Sequence, residues 1–97
     1  MKDYASNSEE LLKNAQTDEE KSFANYIVGG SYYRDGLYLQ SVNYFEKAEE
    51  YGRKFNSTDI QLGCINGLVM SYQRAGLVEQ SNDAWKRYKE LSKKSKN

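Results

Sequence analysis

The segment SYYRDGLYLQS at residues 31–41 returns as SYQRAGLVEQS at residues 71–81. Seven of the eleven positions are identical, and every identical pair is 40 residues apart: Ser31/Ser71, Tyr32/Tyr72, Arg34/Arg74, Gly36/Gly76, Leu37/Leu77, Gln40/Gln80 and Ser41/Ser81. A fixed period of this size is the mark of stacked units, each too small to bury its apolar face alone. Such a chain is built to hold something rather than to catalyse.

Within each unit the periodicity is helical. Apolar and small residues recur at three- and four-residue spacing, and no segment sustains period-two alternation. Thr17-Asp18-Glu19-Glu20 has the form of a capping box, in which the Thr17 hydroxyl and the Glu20 carboxylate each satisfy an amide of the helix start. A helix is predicted from there to about Asp35. Gly36 ends it, because glycine enters the left-handed conformation of a helix C-cap without steric cost. Further helices are predicted over about 38–54, 58–75 and 78–93, with N-capping residues clustered at Asn56-Ser57-Thr58-Asp59 and Gly76 repeating the stop at Gly36. Residues 2–14 align with 42–54 at the same offset. They read as the second helix of a preceding unit whose first helix is missing, either a half-unit cap or the edge of a longer array. One domain is expected over 1–97, with a half-unit helix at 2–14, one repeat over 17–56 and a second over 57–97. At 97 residues a chain buries roughly two-thirds of its unfolded surface, enough for a core without staples.

Composition removes most chemistry. There is no histidine, so the commonest general base and metal ligand is missing. The single cysteine, Cys64, cannot form an internal disulfide and has no base near it in sequence. Gly29-Gly30 lies inside a helix, not in a phosphate loop after a strand; close approach of another helix explains it. No serine has a base partner, and the adjacent acids Glu9-Glu10 and Glu49-Glu50 diverge on a helix. The expectation is a protein that is not an enzyme and uses no metal or cofactor.

Charge is balanced overall but split along the chain. Residues 1–50 carry ten acids and five bases, and residues 51–97 carry four acids and nine bases. The basic excess gathers in the last helix, where it complements the macrodipole. That placement argues against nucleic-acid binding, which needs a basic face on the whole domain. It also allows head-to-tail association between copies. No apolar run is long enough to span a bilayer, and the N-terminal sequence lacks the apolar segment of a signal peptide. A cytoplasmic protein without membrane contact is expected.

Gly29, Tyr32, Gly36, Ser41, Phe45 and Ala48 reproduce a series of glycine, aromatic, turn glycine, small, aromatic and small residues that resembles the tetratricopeptide repeat. The second unit offers Tyr72, Gly76, Ser81 and Trp85. It departs at Val69, in place of the first glycine, and at Tyr88, in place of the last small residue; the usual proline after each pair is absent. The period of 40 exceeds the family's 34 or so and is similar to the longer units of Rap-type bacterial peptide-receptor regulators and other signalling adaptors. The resemblance implies an all-α fold of antiparallel helix-turn-helix pairs, stacked as a short right-handed solenoid of about five helices. It places Ala24, Val28, Tyr32, Val42, Phe45 and Ala48 in the core of one unit, and Cys64, Leu68, Tyr72, Ala84, Trp85 and Leu91 in the other.

The resemblance also implies a concave groove lined by the first helix of each unit. The groove positions are Tyr26, Gly30, Tyr33 and Arg34, then Asn66, Met70, Gln73 and Arg74. Asn66 and Gln73 can donate to and accept from an extended backbone, Arg34 and Arg74 can hold a carboxylate, and Tyr33 and Met70 offer apolar contact. A protein or peptide partner is the leading expectation. Alternatives are a self-associating assembly unit, or the regulatory domain of a larger signalling or transcription regulator. The carboxylate-clamp set of the chaperone-binding subclass is incomplete, since Tyr26, Gly30 and Asn66 stand at those positions.

Overall fold

The computed structural model describes residues 8–95, so the part of the 2–14 helix before Ser8 lies outside it. Among the described residues five helices follow one another: α1 Glu10–Asn14, α2 Asp18–Arg34, α3 Tyr38–Lys54, α4 Thr58–Arg74 and α5 Val78–Ser95. No strand occurs among the described residues. Each helix packs on its chain neighbours, and α2 also touches α4.

The helix ends are set by local chemistry. At the start of α2, Thr17 Oγ1 accepts from the Glu20 amide at 3.1 Å, while Glu20 Oε1 accepts from the Thr17 and Gln16 amides at 3.1 and 3.0 Å. These donated bonds hold the Glu20 carboxyl below its ordinary pKa. Ser57 caps α4 through the Ile60 amide, 3.3 Å away.

The three connections after α2, α3 and α4 share one geometry. Gly36, Asn56 and Gly76 have φ of 82°, 58° and 80°. In each turn that residue's amide bonds a carbonyl three residues back, and the next amide bonds one five back: Gly36 to Tyr33 and Leu37 to Tyr32, Asn56 to Arg53 and Ser57 to Gly52, Gly76 to Gln73 and Leu77 to Tyr72. This is the Schellman closure of a helix end. Asn56, grouped by sequence with the N-capping residues, is therefore the left-handed stop of α3. The structural period is thus one helix every 20 residues, and only the odd- and even-numbered turns differ in residue type.

Phe45 is the centre of the packing. It is 5% exposed. A Cβ placed at Gly29 on α2 would lie 3.0 Å from its ring, and one at Gly67 on α4 would lie 2.8 Å from it. The ring of α3 is therefore gripped by two bare backbones. Gly30 has no such neighbour, since nothing lies within 4 Å of a Cβ placed there; of the glycine pair, Gly29 alone serves helix approach. Val42, Ile65, Leu68 and Ala84 complete the core around Phe45. Ile65 was not among the expected core residues. Trp85 was, and the structure corrects this: it is 44% exposed, stacked on Tyr88 at the edge of the core rather than within it.

Polar groups also pin the helices. Ser22 Oγ donates to the Ala48 carbonyl at 2.7 Å, and Ser81 Oγ to the Val69 carbonyl at 3.1 Å. The hydroxyls of Ser41 and Ser71, both from the duplicated segment, are hydrogen-bonded at 2.7 Å across α3 and α4. Glu49 is 6% exposed and pairs with Arg53 of its own helix and with Arg87 of α5. The second pair links α3 to α5, which is not its neighbour in the chain.

Candidate functional site

α2 and α4 stand 40 residues apart in the chain and touch each other directly, with Phe23 and Tyr26 at the junction. Tyr26 reaches from α2 over α4, so that a Cβ on Gly63 would lie 3.9 Å from Tyr26 Cε1. Its ring leans on Phe45, with centroids 5.7 Å apart and planes at 59°. Phe23, Tyr26, Asp59, Ile60 and Gly63 enclose a cleft of about 180 Å³. Small pockets of this kind are apolar with a few polar groups at the rim, and Asp59 is the polar group here.

The eight positions that the resemblance assigns to a groove lie on α2 and α4. Tyr26, Arg34, Asn66, Met70, Gln73 and Arg74 are exposed, and Gly30 and Tyr33 are half-buried. Tyr33 packs edge-on against Tyr38, with centroids 5.3 Å apart and planes at 65°, so part of its ring already serves the α2–α3 turn. Asn66 Nδ2 points to Met70 Sδ at 3.8 Å. Sulfur is a weak acceptor, so that contact leaves the amide able to bond a stronger group. Tyr26 is joined to the cleft by Phe23, Asp59, Ile60 and Gly63, which sequence reasoning did not single out. A signal existed: Phe23 precedes Tyr26 by three residues, on the same helix stripe as Gly30 and Tyr33.

A second cleft of about 470 Å³ lies between α1, α2 and α3, lined by Leu12, Lys21, Asn25, Tyr44, Lys47, Glu50 and Tyr51. Its lysines sit over tyrosine rings, Lys21 at 5.7 Å from the Tyr51 centroid and Lys47 at 5.6 Å from that of Tyr44. The neighbouring Tyr32 stacks on Tyr44 and donates to Glu9 at 2.8 Å. That bond to a carboxylate holds the Tyr32 hydroxyl protonated far up the pH scale.

Cys64 lies in the core. Burial, and then the nearby Glu49 carboxylate, push its thiol up to about 12 from an ordinary value of 9.0. A thiol held neutral is a poor nucleophile. Native protein is expected to react with a thiol reagent at pH 8 far more slowly than the urea-unfolded chain, as read by mass spectrometry. Equal rates would place Cys64 at the surface. Stability should also fall as pH rises from 9 towards 12, because the unfolded thiol loses its proton there while the folded one keeps it.

Among the described residues no cluster of three or more metal-ligating side chains exists. No helix among them is long and apolar enough to cross a membrane. No protein-family model, curated protein or solved structure matches the chain.

Proposed function

We propose that the chain is a peptide-binding scaffold, a tetratricopeptide-like right-handed solenoid whose ligand lies along α2 and α4. The observation behind this reading is the pairing of exposed hydrogen-bonding residues with an apolar cleft on two adjacent helices. Asn66, Gln73 and Arg74 stand on α4 outside the core, and the Tyr26 cleft opens at the other end of the same face. Helix rise sets the length of the ligand. Gly63 and Arg74 are eleven residues apart, or about 16 Å, which an extended peptide covers with about five residues. An apolar side chain would enter the Tyr26 cleft, and backbone amides would bond Asn66 and Gln73.

The test is selection of peptides from a random display library on the immobilised chain, followed by amide-shift mapping of the selected peptides. Shifts are expected at residues 23–34 and 59–74. The double variant Asn66→Ala/Gln73→Ala should bind about tenfold or more weakly, for two lost hydrogen bonds of about 1 kcal/mol each, with unchanged Tm. Peptides that perturb only α3 and α5, or a double variant that binds like the parent, would refute this placement.

A further inference from the structure

The two ends of the helix stack differ from each other in a complementary way. At one end, α1 and α2 leave a cleft of about 260 Å³ lined by Leu11, Ala15, Phe23, Ala24 and Ile27, with Glu20 at its edge. Leu11, Phe23 and Ile27 are each more than two-fifths exposed. The carboxylates of Glu10, Asp18 and Glu19 belong to the same two helix starts. At the other end stands α5. Trp85 occupies the place 40 residues after Phe45, yet it is 44% exposed where Phe45 is 5% exposed. It stacks on Tyr88 with centroids 5.1 Å apart and planes at 17°, and the Lys89 ammonium lies 5.9 Å from its centroid. Lys86, Lys89 and Lys93, with Glu90, surround an adjoining depression.

One end is thus an apolar cleft among carboxylates, and the other is an aromatic pair among ammonium groups. We infer that a second copy of the chain docks its α5 face, Trp85 foremost, into the α1–α2 cleft. The charge split along the sequence gives the contact its direction: the half bearing ten acids and five bases meets the half bearing four acids and nine bases. A contact between two different faces does not close on itself by a two-fold axis, so each docked copy offers a fresh end. An end face of one or two helices falls in the small, weak class of protein interface. Assembly is therefore concentration-dependent, and screening weakens it. The docking cleft shares Phe23 with the Tyr26 cleft, but neither Ile27 nor Trp85 lines the latter, so variants at these two residues read assembly apart from peptide binding.

The experiment is sedimentation velocity of the full chain over a concentration series, at about 20 mM and about 0.5 M salt. The emission of Trp85, the sole tryptophan, is followed in parallel. Average mass should rise with concentration at low salt and fall back at high salt, and emission should shift to shorter wavelength as the indole leaves water. Ile27→Glu and Trp85→Glu each block one end and should be monomeric alone. Their equimolar mixture retains one intact cleft and one intact Trp85 face, and should give a dimer that grows no further. A parent chain that is monomeric at every concentration overturns the inference, as does a mixture that stays monomeric. Association of Trp85→Glu equal to the parent's also overturns it. So does an Ile27→Glu chain that loses thermal stability without losing association, which would mean that the cleft is filled from within the same chain.

Discussion

Gly67→Ala should melt about 5 °C below the parent, a net loss of about 1 kcal/mol for a domain of this size. In an exposed helix the same change would stabilise by about 1 kcal/mol. Here the new Cβ would lie 2.8 Å from Phe45 Cε1 and Cζ. The ring cannot retreat, because Gly29 lies 3.0 Å away on α2 by the same measure. Overpacking of this kind costs about 1–3 kcal/mol, and it must exceed the propensity gain for the loss to appear. Gly30→Ala provides the opposite sign one residue from the clamp. It meets nothing within 4 Å, so it should raise stability by about 0.5–1 kcal/mol. Phe45→Leu should cost less in the Gly67→Ala background than in the parent, since contacting residues couple. Thermal melts of the four variants decide the matter; a Gly67→Ala chain as stable as the parent would mean that α3 and α4 are further apart than described.

Gly36→Val and Gly76→Val should each lose about 2 kcal/mol in urea unfolding. At φ of 82° and 80° a side chain meets the neighbouring carbonyl, and a β-branched one has no rotamer that relieves it. The empty space around both glycines makes this a purely conformational cost, with no clash to confuse it. Asn56→Gly is the control, since Asn already tolerates the left-handed region; it should change stability by a few tenths of a kcal/mol. If both valine variants unfold at the parent's urea midpoint, the Schellman turns are not what stops the helices.

Much of this fold could be read from the residues that end helices. Glycine at 36 and 76, and the Thr17–Glu20 box, fix three boundaries by backbone chemistry alone, and the limits of α2 to α5 follow within a residue or two; the helix expected over 2–14 is broken by a turn at Glu9. The turn at Asn56 was harder. Asparagine serves equally as an N-cap and as a left-handed stop, and only the 20-residue spacing of the three turns separates the two roles. Trp85 shows a different limit. Its position matches that of the buried Phe45, but burial depends on what lies on the far side of the helix, and no local pattern records that. The Phe45 clamp was half visible, through Gly29; Gly67 has no glycine at the matching position 27, so the repeat did not point to it. On α2 and α4, the helix register placed Tyr26, Asn66, Met70, Gln73 and Arg74 at the surface. It could not foresee that Tyr33 folds back on Tyr38, or that Gly63 opens a cleft beside Tyr26.

The Glu49–Arg87 pair, 38 residues apart in sequence, sets the scale on which this chain must search for its native contacts. Helices that rest on their chain neighbours form their contacts by short loop closures, whose entropic cost rises only logarithmically with length. Such chains fold in microseconds to milliseconds rather than seconds. Each helix finds its support as soon as the preceding one exists, so folding can keep pace with synthesis from the ribosome. The same locality weakens resistance to pulling. A force applied along the stack meets one helix-to-helix contact at a time, and α3, held by Phe45 on both sides and by Arg87 from beyond, should be the last to yield.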